Sequence, residues 1–522
     1  MELALCLSGG GYRAAVFHLG VLSFLDELKV DDDTPLLNYV HTITSISGGS
    51  LTGMIYVLSE IDHRDRTSTF RRLYHDIIST NIGQMLLDRF EEESKKGRSL
   101  IQTLADIYDC HFFHGDKFGH ILNGMSWEGI HHFYADATDF DLSLPFRFQA
   151  TVRLSDPERI TEFGMIGNWQ HNISYEDAGK IRLADVMAAT SCFPLVFEPI
   201  EYPTEFRFSN NEQPNRDNLL RFLLMDGGMI DNQGIDPAIH ARNHLTKEGK
   251  DMDLILICDA GNTSNDREEK EWKLWNVSPR NLFAISSVLF IIGYFGLLYS
   301  FRRGWQISSL FMTVLTVSTF FLCFILVFAD EFFKDKLEKK TQLCVRKSMF
   351  WRSSLRNIGT FVKSRVLTAY QMNDVVMSGN QKKLWYRSLR RIPELTNRIQ
   401  MNSISLFSKA KTWKNIVNRQ KLERNYRPDD RMKGIAQIAS STKTSLWFTE
   451  KQLHDNVPAM ILACGRFTTC WNLLIYIDKL KDLQQNDRTA FHDWMIAQEQ
   501  PILEMWNKFK QNPMYNIKKY TE

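Results

Sequence analysis

Ser47 lies in the sequence Thr-Ser-Ile-Ser-Gly-Gly-Ser at residues 44–50. The small residues around it suit the strained turn between a strand and a helix that exposes a nucleophilic hydroxyl. A turn of this composition, taken alone, is more often only a flexible loop. With the partners described next, the pattern favours acyl chemistry with Ser47 as the nucleophile.

A serine hydroxyl attacks efficiently only when a nearby base takes its proton. Asp226 is the best candidate base, because it follows the apolar run 219–225 and precedes Gly227 and Gly228. It should therefore end a strand at a turn that permits close approach of the backbone. Asp231 is a rival a few residues later. A histidine base would make a triad, but we interpret the histidines of this region as structural: His18, His41, His114, His120, His131 and His132.

A glycine-rich loop, Ser8-Gly9-Gly10-Gly11-Tyr12-Arg13, follows a short apolar run at residues 3–7 and precedes a helical pattern. Such a loop leaves backbone N–H groups and the positive end of a helix dipole to meet an anion. A phosphate-binding P-loop would need a Lys-Ser or Lys-Thr pair here, and none follows. The next apolar run, 40–44, leads directly to the Ser47 turn. We therefore predict an oxyanion hole formed by the amides of Gly9, Gly10 and Gly11.

These three segments, in this order, resemble the patatin-like phospholipase family: residues 8–13, 45–49 and 226–228. Residues 146–151 and 188–194 are similar to a core strand of that family and to the segment beside its substrate cleft. The resemblance covers about residues 1–262 and implies a three-layer α/β serine hydrolase with a mostly parallel sheet. It also implies a Ser47–Asp226 dyad without histidine, metal or cofactor. The residues that support the motifs are Arg13, Ser45, Gly49, Gly227 and Gly228, with Arg13 open to a solvated, structural or lipid-phosphate role.

Two uncharged apolar runs, 282–300 and 310–329, each have about the length of a membrane-spanning helix. A pair of buried core helices is the alternative. The loop between the runs carries only Arg302 and Arg303, whereas both outer flanks are rich in lysine and arginine. The positive-inside tendency then predicts a two-pass integral membrane protein whose catalytic and C-terminal regions are cytoplasmic.

The segment 334–424 holds 22 Lys and Arg against 5 Asp and Glu, although the whole chain of 522 residues has a net charge of only +2. Such a basic segment next to a membrane span favours contact with an anionic membrane surface. A solvated helical face is one alternative. Nucleic acid is not expected as a partner, because no recognition motif accompanies the charge.

Three regions follow from these patterns. Residues 1–262 form the catalytic domain, with 62–125 as a helical cap. Residues 263–350 contain the membrane hairpin, and residues 351–522 form a basic, mainly helical region that packs in part on the catalytic core.

The expected reaction is hydrolysis of ester bonds in membrane glycerophospholipids, under control of the cap or a regulatory partner. The alternatives are a neutral-lipid lipase, a lysophospholipase, an acyltransferase and a non-catalytic membrane scaffold.

Overall fold

The computed structural model describes most of the predicted catalytic domain and the C-terminal end of the chain. The predicted membrane hairpin, 282–300 and 310–329, lies outside the described residues, and so does the basic segment 334–424 apart from one strand. All described residues belong to one compact unit of the chain. They are residues 1–261, 394–398 and 426–522, with gaps at 32, 96–97, 153–164, 195 and 209–220.

Apolar runs and glycine-rich turns alternate along the chain, and they form the following elements. The strands are β1 Leu3–Leu7, β2 Lys29–Val30, β3 Thr34–Pro35, β4 Val40–Ile46, β5 His132–Asp139, β6 Leu144–Thr151, β7 Ile166–Gly167, β8 Asn172–Ile173, β9 Ile200–Tyr202, β10 Phe222–Asp226, β11 Leu254–Asp259 and β12 Glu394–Arg398. The helices of the first 250 residues are α1 Gly11–Glu27, α2 Gly48–Ile61, α3 Arg66–Ser79, α4 Ile82–Lys95, α5 Leu100–Tyr108, α6 Phe118–Gly124, α7 Tyr175–Lys180, α8 Leu183–Thr190, α9 Gly228–Asp231 and α10 Ile235–Lys247. The helices near the C-terminus are α11 Asp430–Ser441, α12 Glu450–His454, α13 Val457–Lys481, α14 Ala490–Ala497, α15 Glu499–Gln511 and α16 Lys518–Thr521.

The centre of the large sheet is parallel, with the strand order β12-β11-β1-β4-β5. Strands β1 and β11 are buried along their whole length, as expected for parallel strands covered on both faces. The predicted α/β fold with a parallel central sheet is thereby confirmed. Beyond β5 the sheet continues with the antiparallel strands β6, β7 and β8, of which the sequence analysis indicates only β6, as a core strand of unstated direction.

Two strands meet end to end along one edge of β5. Strand β4 runs parallel to β5 as far as Ile46, which is paired with Asp136. Strand β10 runs antiparallel to β5 along the same edge and ends at Asp226, which is paired with Ala137. Because Asp136 and Ala137 are consecutive, the ends of β4 and β10 face each other. The residue after β4 is Ser47, so the register alone brings Ser47 and Asp226 together.

Helix α13 packs along α1 in the core of the described unit. Gly20 and Gly465 let the two backbones come close, because a side chain at either position would strike the other helix. The fully buried Arg466 of α13 forms an ion pair with Glu27 of α1. By length and composition α13 is also the one candidate for a membrane span among the described helices, although 83% of its apolar window is buried inside the protein, as in the core helix of a soluble protein.

The stretch predicted as a cap, 62–125, contains α3 to α6 and one π-helical turn at Asp109–Phe113. Helix α5 begins at a capping box, in which Ser99 and Gln102 bond each other's backbone amides. The helix packs against α8, which leads to the segment 188–194. The tyrosine that ends α5, Tyr108, bonds the hydroxyl of Ser191 at 3.3 Å.

Candidate active site

Ser47 occupies a strained backbone conformation between β4 and α2. Its φ of 49° and ψ of −121° are rarely adopted by a residue with a side chain, at a cost of about 1–3 kcal/mol. Its amide donates to the hydroxyl of Thr190 at 3.1 Å, and its carbonyl accepts from the amide of Ser50 at 2.8 Å. These bonds hold the turn, and the side chain lies at the N-terminal end of α2 with only 8% of the residue exposed.

Asp226 ends β10 and is buried beside Ser47. Its carboxylate accepts a hydrogen bond from the amide of Gly228 at 2.7 Å and interacts with the side chain of Ser47. Burial raises the pKa of Asp226 to about 6, and the interactions with the Gly228 amide and the Ser47 side chain oppose this rise. The carboxylate is thus ionised at neutral pH and has a higher proton affinity than an exposed aspartate.

The carboxylate of Asp231, the alternative base, accepts backbone hydrogen bonds near the start of α10. Its two oxygens accept hydrogen bonds from the amides of Gln233 at 3.1 Å and Asp236 at 2.8 Å. These bonds satisfy backbone donors at the N-terminus of the helix, as aspartates that cap helices commonly do. The structure therefore favours Asp226 over Asp231 as the partner of Ser47.

Some backbone amides of the glycine-rich loop already donate hydrogen bonds within the protein, and others do not. The amide of Gly9 donates to the carbonyl of Asn232 at 3.1 Å, and the amide of Tyr12 donates to the carbonyl of Ser445 at 2.9 Å. Within the described part of the chain, the amides of Gly10 and Gly11 have no hydrogen-bond acceptor. The set of three amides expected from the sequence is thus reduced to these two as candidates for binding an oxyanion.

Close backbone contact between the glycine loop and the Ser47 turn requires glycine at a specific position. A Cβ atom on Gly48 would collide with the carbonyl group of Gly11. Gly10 and Gly11 also adopt positive φ values of 147° and 59°. The sequence is glycine-rich on both sides of this contact because the two turns touch through their backbones.

The supporting residues of the motifs have identifiable packing roles. The Ser45 hydroxyl donates to the carbonyl of Tyr134 at 2.8 Å, which accounts for a small polar residue on this buried strand. A side chain on Gly49 would collide with the carbonyl of Leu7, and one on Gly227 with that of Asp136. These glycines therefore let the turns pack directly against β1 and β5.

Arg13 is buried and holds a segment from the other end of the chain. We call residues 442–448 the C-terminal strap. The Arg13 guanidinium donates to the carbonyl of Thr442 at 2.7 Å and to that of Ser440 at 3.3 Å. The strap also accepts the bond from Tyr12 through Ser445, so it braces the glycine loop. The structure thus favours the structural role of Arg13 over a solvated charge.

Thr190 is a site residue whose role the sequence interpretation missed. Its hydroxyl accepts from the amide of Ser47 and donates to the carbonyl of Asp136 at 2.5 Å. It thereby joins the Ser47 turn to β5. In the sequence, the only indication of this role was the resemblance of residues 188–194 to a family segment. The hydrogen bonds of the Thr190 hydroxyl are seen only in the structure.

A serine on a strained strand-to-helix turn beside a carboxylate and a glycine loop is the arrangement of an α/β serine hydrolase. Residues 5–239 match the family model of patatin-like phospholipases. This match confirms, for these residues, the resemblance noted in the motifs. Patatin-like phospholipases are serine hydrolases of lipid esters.

Structural comparison gives distant similarity. Human GIVD cytosolic phospholipase A2 aligns at 12% identity and a TM-score of 0.33, over 49% of this chain and 42% of that one. The same human enzyme in complex with methyl gamma-linolenyl fluorophosphonate aligns at 15% identity and a TM-score of 0.31, over 50% and 40%. The alignment thus spans less than half the length of these structures. No curated protein sequence matches the chain significantly.

Proposed function

We propose that this protein hydrolyses ester bonds of glycerophospholipids, with Ser47 as the nucleophile and Asp226 as the base. The observation that carries the proposal is the position of Ser47 beside the buried carboxylate of Asp226, at the point where β4 and β10 meet. The lipid substrate is the one that the patatin-like phospholipase domain implies.

In the proposed reaction, Asp226 takes the proton of the Ser47 hydroxyl as the oxygen attacks the ester carbonyl. The amides of Gly10 and Gly11 stabilise the negative charge that forms on the carbonyl oxygen, and each such donor contributes about 2.7–4 kcal/mol in known hydrolases. Asp226 then returns the proton to the leaving alcohol. A water molecule then gives a proton to the same carboxylate as it attacks the acyl-Ser47 ester. Asp226 returns this proton to the Ser47 oxygen as the fatty acid leaves.

The test is fatty-acid release from mixed phospholipid vesicles by the detergent-purified full chain. We expect release by wild type and its loss in both Ser47→Ala and Asp226→Asn, with Asp231→Asn as the matched control that keeps activity. Release that persists in Ser47→Ala contradicts the proposal.

The same assay separates the alternative substrates. Vesicles that also contain triacylglycerol and lysophospholipid distinguish a phospholipase from a neutral-lipid lipase and a lysophospholipase, because mass spectrometry identifies which lipid disappears. Transfer of the acyl group to an added alcohol or lysolipid identifies an acyltransferase. A non-catalytic scaffold releases no fatty acid and forms no acyl adduct.

The cap is proposed to control access to Ser47. Only 8% of Ser47 and 6% of Asp226 are exposed, so a membrane lipid must displace a covering element to reach them. Tyr108 of the cap bonds Ser191 next to Thr190, and this contact would close the site. We expect Tyr108→Phe to raise the rate on vesicles several-fold without changing the rate on a short soluble ester. Equal rates on vesicles contradict this role.

Membrane anchoring is proposed from the sequence of residues 282–300 and 310–329, with the basic segment 334–424 against the anionic cytoplasmic leaflet. Resistance to carbonate extraction tests the anchor. Cys323 lies in the second apolar run and Cys344 beyond it. A membrane-impermeant thiol reagent added to sealed, right-side-out cells should leave Cys344 unlabelled, and labelling of Cys344 from outside contradicts the proposed orientation.

A further inference from the structure

A second cluster of reactive side chains lies at the end of the sheet opposite Ser47. Glu2 precedes β1, His41 lies near the start of β4, and His131 precedes β5. The amide of His131 donates to the carbonyl of His41 at 2.7 Å, which fixes the two backbones side by side. One ligand atom from each of the three residues lies within 4.8 Å of the others.

Backbone carbonyls define the tautomers of both histidines. Nε2 of His131 lies 3.0 Å from the carbonyl of Trp127, and Nδ1 of His41 lies 2.8 Å from the carbonyl of Gly129. Because a carbonyl only accepts, these two ring nitrogens carry the protons. In the neutral rings, lone pairs remain on Nδ1 of His131 and Nε2 of His41. Histidines that ligate metals are held in this way through their other ring nitrogen.

The carboxylate of Glu2 faces one of these lone pairs. Its Oε2 atom lies 3.0 Å from Nδ1 of His131, and both atoms are buried without a well-formed hydrogen bond among the described residues. Two electron-pair donors this close repel each other unless a proton or a metal cation lies between them. Two ligands of a tetrahedral zinc lie about 3.3 Å apart, given metal–ligand distances of about 2.0–2.2 Å.

We propose that Glu2, His41 and His131 bind one divalent transition metal ion, with zinc as the best fit. Two imidazoles and a carboxylate are a common zinc ligand set, with water as the fourth ligand. The imidazole rings lie parallel, at 7° with centroids 4.4 Å apart, so one ring must tilt to share the ion.

Lys250 is the competing charge at this site. Its ammonium lies 4.0 Å from the other oxygen of Glu2 and 3.8 Å above the ring of Trp127. It therefore repels a bound cation and lowers the affinity of the site. Since 43% of its side chain is exposed, Lys250 can be replaced with little disturbance of the core.

The proposed ion is structural rather than catalytic. Ser47 lies six residues after His41 along an extended chain, which places the two about 20 Å apart. The ion would tie together the segments that lead into β1, β4 and β5. Its binding should therefore raise the melting temperature, because a ligand that binds only the folded state stabilises that state.

The experiment measures zinc bound to the full chain after treatment with a chelator, exchange into detergent buffer and addition of zinc chloride. We expect about one zinc per chain in wild type and an increase in melting temperature. His131→Gln and Glu2→Gln should each lose the ion, and Lys250→Gln should bind it at least about tenfold more tightly. His454→Ala, which removes a histidine with 90% side-chain exposure, should match wild type.

Cobalt gives a second readout that does not depend on fold stability. A tetrahedral His₂Glu site should give visible d–d absorption in wild type that disappears in His131→Gln. Wild-type protein that binds neither ion overturns the proposal and identifies the cluster as a proton-sharing one. Zinc binding that persists unchanged in both His131→Gln and Glu2→Gln also overturns it.

Discussion

The two ends of β4 carry reactive groups in different ways. At its C-terminal end, Ser47 is held by backbone strain, by Thr190 and by the neighbouring end of β10. At its N-terminal end, the His41 side chain lies near those of His131 and Glu2, and a backbone hydrogen bond joins His131 to His41. The first arrangement leaves a motif in the sequence, because strained turns demand small residues. The second arrangement leaves no motif, because the three residues are far apart in the sequence and no strained turn restricts the residue types beside them.

This comparison predicts that substitutions at the two ends of β4 affect different properties of the protein. Substitutions around Ser47 should change the rate of hydrolysis with modest effects on folding. Substitutions around His41 should change metal binding and thermal stability.

Asp226→Asn should reduce kcat by about 10²–10⁴-fold, the range of a lost general base. In wild type the pKa of about 6 predicts that kcat/KM rises from pH 5 to pH 7 with a midpoint near 6. A pH–rate profile measured on a soluble ester checks this. A wild-type profile that is flat across this range is inconsistent with Asp226 as the base.

The same variant should gain stability at neutral pH. Because the pKa of Asp226 is raised above its ordinary value of 3.8, the stability it contributes is full below about pH 4 and is lost as the pH rises through about 6. Asparagine does not ionise and avoids this loss. Melting temperatures should therefore be similar at pH 4 and higher for Asp226→Asn at pH 7.5.

Arg13→Met should reduce kcat by about 10–100-fold, because hydrogen bonds to a charged group contribute about 1.5–3 kcal/mol and here hold the strap against the glycine loop. Arg13→Lys, which keeps the charge but not the forked geometry, serves as the matched control and should recover part of the rate. A fall in kcat with KM unchanged indicates loss of the oxyanion geometry. If KM rises alone, Arg13 binds substrate instead.

Thr190→Val should lower kcat about tenfold, since it leaves the amide of Ser47 and the carbonyl of Asp136 without their hydrogen-bond partner. Thr190→Ser keeps the hydroxyl and should retain most of the rate. Steady-state kinetics of the two variants separate the effect of the hydroxyl, which Thr190→Val removes, from that of the methyl group, which Thr190→Ser removes. Equal loss in both would assign the effect to packing.

Asp231→Asn should change kcat by less than about threefold, because one oxygen remains to accept a backbone amide at the start of α10. The melting temperature should fall slightly. A loss as large as that of Asp226→Asn would show that the Ser47 end depends on two carboxylates.

Much of the Ser47 end was predictable from sequence. Ser47, Asp226 and the glycine loop were recognisable because strained turns and close backbone contacts restrict residue type locally. The role of Thr190 and the use of the Gly9 amide were not, because both depend on partners distant in the chain. The strap contact with Arg13 joins residues more than 400 positions apart, and no local pattern encodes such a distance.

The parallel strands were also predictable, since apolar runs between glycine turns indicate buried strands. The short strands β7, β8 and β9 have two or three residues each, too few for a periodic pattern. The sequence analysis interprets His41 and His131 as structural histidines and assigns no role to Glu2, because single polar residues at strand ends have no pattern that distinguishes a ligand from a packing residue.

The most direct test of the Ser47–Asp226 dyad is covalent labelling by a fluorophosphonate, with the modified residue located by mass spectrometry. Wild type should be labelled at Ser47 within minutes, Asp226→Asn much more slowly, and Ser47→Ala should not be labelled. The Asp231→Asn control should react like wild type. Labelling of a different serine in wild type, or equal labelling rates in wild type and Asp226→Asn, would contradict the account.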